Sequence, residues 1–236
     1  MSARYAIYFM PSPETALARF GASAIGYDAW TGRAVPFPDT APFPRDGAPE
    51  WSREPARYGF HATLKAPFQL RDGCSEADLH ARVSAFAAGR APVALGPLDV
   101  VALSRFVALV PRDPPPALAG LAADCVTQFD ALRAPLSEAD RTRRLAAPLS
   151  ARQIAYLDAW GYPYVLEEFR FHMTLSGPLE AETKASLLGA LEALWQPIST
   201  PITIDALTIA HQPRRDGPFV ARARYRLDGA QSSITP

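Results

Sequence analysis

GFHATLKAPF at residues 59–68 and RFHMTLSGPL at residues 170–179 both spell Phe-His-x-Thr-Leu followed by x-x-Pro. Apolar and polar residues alternate through each copy, which is the period of a strand with one face buried. Phe60, Ala62 and Leu64 are therefore expected on one side and Gly59, His61, Thr63 and Lys65 on the other. The second copy divides into Phe171, Met173 and Leu175 against Arg170, His172, Thr174 and Ser176. The apolar sets pack beneath helices, and the polar sets are left to line a cleft.

The flanking sequence repeats as well. RYAIYFM (4–10) runs as a strand up to Pro11, and Ser12-Pro13 is expected to open a helix. RFVALV (105–110) ends at Pro111 in the same way, with an Ala/Leu-rich helix after the proline break. A helix from near Ser75 carries Leu79, Val83 and Phe86, and the strand PVALGPLDVVAL (92–103) follows it. After the second motif come a helix over about 180–195, the strand PITIDALTIA (201–210) and a last strand, PFVARARYRL (218–227). Two β-α-β-α-β rounds, about 4–103 and about 105–227, have a period too long for a solenoid repeat and predict a single bilobal domain spanning 1–236. The predicted class is α+β, a pseudo-two-fold pair of units with antiparallel sheets facing a central cleft. Residues 30–57, with Pro36, Pro38, Pro42, Pro44, Pro49 and Pro55, read as a long irregular loop.

Composition narrows the partners. Lys+Arg 24 balances Asp+Glu 24, so the broad positive field needed to hold long nucleic acid is missing from the chain as a whole. The apolar run before Pro11 is too short for a signal-peptide core or a membrane span, which predicts a cytoplasmic protein without a membrane partner. Cys74 and Cys125 are too few for a disulfide framework or a zinc cluster. Neither HExxH nor a clustered carboxylate or Cys/His spacing appears, so no metal or other cofactor is expected.

Two imidazoles and two hydroxyls converging on a cleft suit phosphodiester cleavage. One histidine takes a proton from the attacking water while the other protonates the departing oxygen, and an unperturbed pKa near 6.5 opens both roles around neutrality. Threonine hydroxyls then donate to the non-bridging oxygens as charge builds on phosphorus. Near symmetry leaves either assignment open; the sequence reading takes His172 as general base and His61 as general acid. Lys65 and Arg170 are candidate phosphate clamps.

The paired FHATL and FHMTL motifs, about 110 residues apart, resemble the signatures of the two-histidine (2H) phosphoesterase superfamily, which includes RNA 2′,3′-cyclic phosphodiesterases and 2′-5′ RNA ligase-like proteins. The wider phrases RYGFHATLKAPF and FRFHMTLSGPL are similar to a branch encoded beside phosphonate-degradation genes. The resemblance implies a metal-independent site and assigns functional roles to His61, Thr63, His172 and Thr174. A small cyclic phosphate, of a nucleoside or a ribose derivative, is the expected substrate. A non-catalytic binder of phosphorylated nucleotides or RNA ends, and RNA-end processing or ligation, are the alternatives.

Other residues are read as structural. His80 lies within a helix, and His211 ends a strand before QPRRDGP. Arg141, Arg143, Arg144 and Arg152 read as a solvated helix face. Trp30, Trp51 and Tyr58 flank the proline-rich loop, with packing as their default.

Overall fold

In the computed structural model, which describes residues 3–228, the chain runs as eleven strands and seven helices. β1 (Arg4–Phe9) leads into α1 (Ala16–Ile25), then a short hairpin of β2 (Tyr27–Asp28) and β3 (Arg33–Ala34), and α2 (Glu50–Tyr58). β4 (Ala62–Phe68), α3 (Glu76–Ala88), β5 (Val93–Gly96) and β6 (Leu98–Leu103) complete the first stretch. The second holds β7 (Phe106–Pro111), α4 (Pro116–Gln128), α5 (Glu138–Leu145), α6 (Ala151–Trp160), β8 (Met173–Thr174) and α7 (Ala181–Trp195). It ends with β9 (Ile202–Ile204), β10 (Ala206–Gln212) and β11 (Val220–Arg226).

Seven strands form one sheet in the order β11-β10-β1-β4-β8-β7-β6. Every neighbouring pair in it is antiparallel. The α+β class with antiparallel strands is as the alternating sequence pattern predicts. The arrangement differs in that the two motif strands lie edge to edge at the centre of a shared sheet, rather than on two separate sheets. The outer strands are also exchanged: β6, from the first stretch, pairs with β7, and β10, from the second, pairs with β1. β5 and β9 pair on their own.

β1 is buried at all six positions, flanked in the sheet by β10 and β4. α3 packs on β10 and β11 while α7 packs on β6 and β7, and α4 lies against β4. Leu79 and Val83 of α3 and Leu187 and Leu191 of α7 reach zero exposure in the resulting core, and each such side chain contributes about 1.5–3 kcal/mol by burial.

Local chemistry moves several predicted boundaries. Ser12 does not cap α1; its hydroxyl bonds Glu14, and Thr15 accepts from the Ala18 amide instead. The proline-rich stretch is not irregular throughout, since α2 forms within it, entered from Pro49 and tolerating Pro55 near its end. The predicted strand over 92–103 breaks in two, because Gly96 takes φ +71° ahead of Pro97. Its counterpart over 201–210 breaks at Asp205.

Candidate active site

Antiparallel pairing of β4 with β8 sets Ala62 opposite Met173. Counting outward, His61 stands across from Thr174 and Thr63 across from His172, all four on one face. Directly opposed side chains lie about 5 Å apart at Cβ, and diagonal ones about 7–8 Å. The histidines therefore occupy one diagonal of a small rectangle and the threonines the other. The four sequence-predicted residues are brought together, two from each motif.

Each imidazole is fixed by its own backbone. His61 Nδ1 lies 2.8 Å from the Gly59 carbonyl, and His172 Nδ1 lies 2.8 Å from the Arg170 carbonyl. A carbonyl only accepts, so Nδ1 carries the proton in both rings and Nε2 is left for proton exchange. His61 Nε2 meets the Thr63 hydroxyl at 3.1 Å. Gly59 is needed for this: its φ is +75°, and a Cβ there would come within 2.5 Å of the Ala29 Cβ.

The two rings sit in different surroundings. Tyr8 stacks on His61 with ring centroids 3.7 Å apart. In the paired strands Tyr8 opposes Thr63, and the residue that opposes Thr174 is Ala108. A phenol thus covers one histidine where a methyl leaves the other open, with Phe106 at 5.8 Å from the His172 ring. Burial pushes the His61 pKa down to about 4, with the Gly59 carbonyl opposing and the nearby His172 adding to the shift.

This has a consequence for stability. The unfolded chain binds the His61 proton near pH 6.5 and the folded one only near 4, so stability falls as pH drops through that window. The His61 contribution at pH 4.5 is expected to reach up to about 2 kcal/mol. Urea titrations at pH 7 and 4.5 should show that much less acid sensitivity in His61→Gln than in the parent.

Two cavities flank the rectangle and share Phe106 as a wall. His61 and Thr174 line one of about 220 Å³ with Tyr58, Pro55 and Pro178. Thr63 and His172 line the other, about 470 Å³, with Tyr162, Tyr164, Phe169 and Arg170. The larger lies within the size range of small-molecule sites. Arg170 is held at its rim by bonds to the Glu167 and Phe169 carbonyls.

Lys65 does not face the cleft. A bulge between the Tyr8/Thr63 and Ile7/Lys65 pairs interrupts the alternation. Lys65 is 3% exposed, its ammonium donating to the Val126 carbonyl at 2.8 Å and to Asp130 at 3.1 Å. His80 bonds the Tyr225 hydroxyl at 2.6 Å, and His211 stacks on Tyr5 on the opposite face from Tyr8. Arg141 and Arg152 pair with Asp158 and Glu168. Trp30 bonds the Pro11 carbonyl and Trp51 packs on Phe43, whereas Tyr58 lines the cleft. Tyr8, Phe106 and Tyr162 were not singled out by sequence; for Tyr8, the Arg4-Ala6-Tyr8 alternation of β1 carries the signal. Among the described residues no three His, Cys, Asp or Glu side chains are placed to hold a metal ion, and no helix is long and apolar enough to cross a membrane.

A family model described as a protein of unknown function, DUF1045, matches residues 63–220. The chain is 39% identical over 231 residues to a Janthinobacterium sp. (strain Marseille) protein named ribose 1,5-bisphosphate phosphokinase PhnN, covering 96% of this chain and 51% of that one. A Laribacter hongkongensis (strain HLHK9) protein of the same name is 37% identical over 203 residues, 83% of this chain and 46% of that one. The chain thus spans about half the length of the curated relatives it matches. Among solved structures it is similar to a phosphoesterase, at 16% identity and TM-score 0.42, and to E. coli LigT complexed with 3′-AMP, at 18% and 0.40. Each alignment covers 96% of this chain and 99% of the other.

Proposed function

The chain belongs to the family described as a protein of unknown function, DUF1045, and we propose that it is a metal-independent phosphodiesterase that opens a small cyclic phosphate by two-histidine acid/base catalysis. The observation that carries this reading is the Ala62–Met173 register, which sets two histidines on one diagonal and two threonines on the other. In-line displacement at phosphorus needs a base and an acid on opposite sides of the atom, with donors aimed at the oxygens between them. The rectangle has that order of groups.

The surroundings support a reversal of the roles assigned from sequence. His61, kept neutral by its burial under Tyr8, accepts the Thr63 hydroxyl at Nε2; once that hydroxyl turns to the phosphate, the Nε2 lone pair suits the general base that deprotonates water. His172, in the open half, suits the general acid that protonates the departing alkoxide. The larger cavity beside His172 then takes the organic group, and the smaller one beside His61 the attacking water. Thr63 and Thr174 donate to the non-bridging oxygens as negative charge accumulates. Arg170 at the cavity rim can steer an anionic substrate.

A ribose-derived substrate is favoured by the chemistry in the relatives' name. A cyclic diester on adjacent hydroxyls of a ribose phosphate, opened at one ester bond, leaves a ribose with two phosphate monoesters, the class of compound that name contains.

Phosphorus NMR of a panel of cyclic phosphates and linear diesters, incubated with the protein in chelator, tests this reading. Conversion of a cyclic phosphate to a single monoester is expected, with the acidic limb of kcat/KM displaced from the ordinary histidine range toward about 4. Loss of turnover in chelator, or binding without product across the panel, would overturn it.

A further inference from the structure

A second basic pocket lies away from the two histidines, and its charges do not balance. Arg4, Arg133, Arg143, Arg144 and Arg215 all line it, and the carboxylate of Asp140 is the acidic member of the lining. Asp140 is already shared by Arg143 and Arg215, while Arg133 pairs with Asp130, which Lys65 also engages. Two guanidiniums are left without a carboxylate among the described residues. Arg4 is 9% exposed, and its Nε and Nη2 donate only to the Gln212 amide oxygen, at 2.8 and 2.5 Å. Arg144 rests on the Tyr162 ring, 4.8 Å from its centroid, and its Nε is buried with no hydrogen-bond partner.

A cation buried without a counter-charge is costly, and here the buried Arg4 and the half-buried Arg144 converge on one hollow beside Arg215. The Arg4 pKa is correspondingly lowered, first by burial, with Arg215 and Arg57 adding like-charge repulsion. Such an arrangement is relieved by an anion that supplies several acceptor oxygens at once, and the planar guanidinium fork matches a phosphate-type oxyanion. Of the four arginines read as a solvated helix face, Arg143 and Arg152 are exposed, Arg141 is half-buried against Asp158, and Arg144 is turned inward.

We propose that Arg4, Arg144 and Arg215 form a binding site for a phosphate-type oxyanion, separate from the two-histidine rectangle but sharing its wall. Arg4 and Tyr8 are four residues apart on one face of β1, about 13 Å along the strand. Phe219 and Tyr58 fill the interval: Arg4 lies 5.5 Å from the Phe219 ring, and the Phe219 and Tyr58 rings are 5.5 Å apart. Tyr162, which carries Arg144, also lines the larger cavity. The anion is either a phosphate monoester borne by the cleft's own substrate, which rests on the function proposed above, or free phosphate.

Calorimetric titration with inorganic phosphate tests the site without turnover. Binding is expected in the parent chain and, undiminished, in a His61→Ala/His172→Ala background. Arg144→Gln should weaken it about tenfold to a hundredfold, the worth of a charged hydrogen bond. Arg144 is half-buried on the short α5, so this variant carries the test if Arg4→Met fails to fold. Binding lost in the double-histidine variant, unchanged in Arg144→Gln, or undetectable at millimolar phosphate would overturn the proposal. Cyclic phosphates with and without a remote monoester then identify the source. Arg144→Gln should erase any kcat/KM preference for the phosphorylated one if the anion is substrate-borne, and leave it unchanged if free phosphate is the ligand.

Discussion

Replacing His61 with alanine is expected to lower kcat/KM for a cyclic phosphate by about 10²- to 10⁴-fold, the usual weight of a general base or acid. His172→Ala should lose a comparable factor on the same substrate. The two variants separate on a linear diester with a nitrophenolate leaving group, which departs without needing a proton. There His172→Ala should recover most of its rate, while His61→Ala should not, because water still has to be deprotonated. Initial rates for the three proteins on the two substrates decide the matter. Recovery in His61→Ala instead would exchange the roles, and wild-type rates in both variants would place the chemistry elsewhere.

The second large effect is expected at Gly59, which lines the cavity beside His61. Gly59→Val must adopt a positive φ, which costs a β-branched residue at least about 1–2 kcal/mol, and must displace the Ala29 Cβ. Overpacking of that kind adds about 1–3 kcal/mol. A total loss of roughly 2–5 kcal/mol should be visible in urea unfolding. The Gly59 carbonyl also orients His61, so the fraction that remains folded at low temperature should turn over more slowly than the parent. Unaltered stability and rate would remove Gly59 from the account.

Much of this was legible in the sequence, for identifiable reasons. The motif pair is short, alternating and duplicated, so the faces of His61, Thr63, His172 and Thr174 follow from strand period alone. What escaped depended on contacts distant in sequence. The alternation rule fails at Lys65 because Leu64 is an extra residue in the pairing of β4 with β1, a bulge that shows only when the register of both strands is known. α2 escaped because Pro49 and Pro55 signal breakage locally, although Pro49 precedes the helix and Ser52 returns a hydrogen bond to its carbonyl. The unequal environments of the histidines depend on Tyr8 in one stretch and Ala108 in the other. The two residues align only when the strands are counted back from Pro11 and Pro111. The joining of both motifs into one sheet could not be read from either copy, since a strand's sequence does not state its neighbour.

The exchange of outer strands bears on what a cut in the backbone would do. β6 and β7 are joined by a tight turn through Ser104, which takes φ +52°. Nicking the chain there would free no autonomous module. The N-terminal fragment would leave β1 without β10 and carry β6 with nothing to pair against; the C-terminal fragment would hold β10 and β11 without the strand they extend. Ragged hydrogen-bonding edges of that kind recruit other chains. The molecule is braided, so the pieces would need to be made together to recombine, and mechanical load applied to one would be borne by the other.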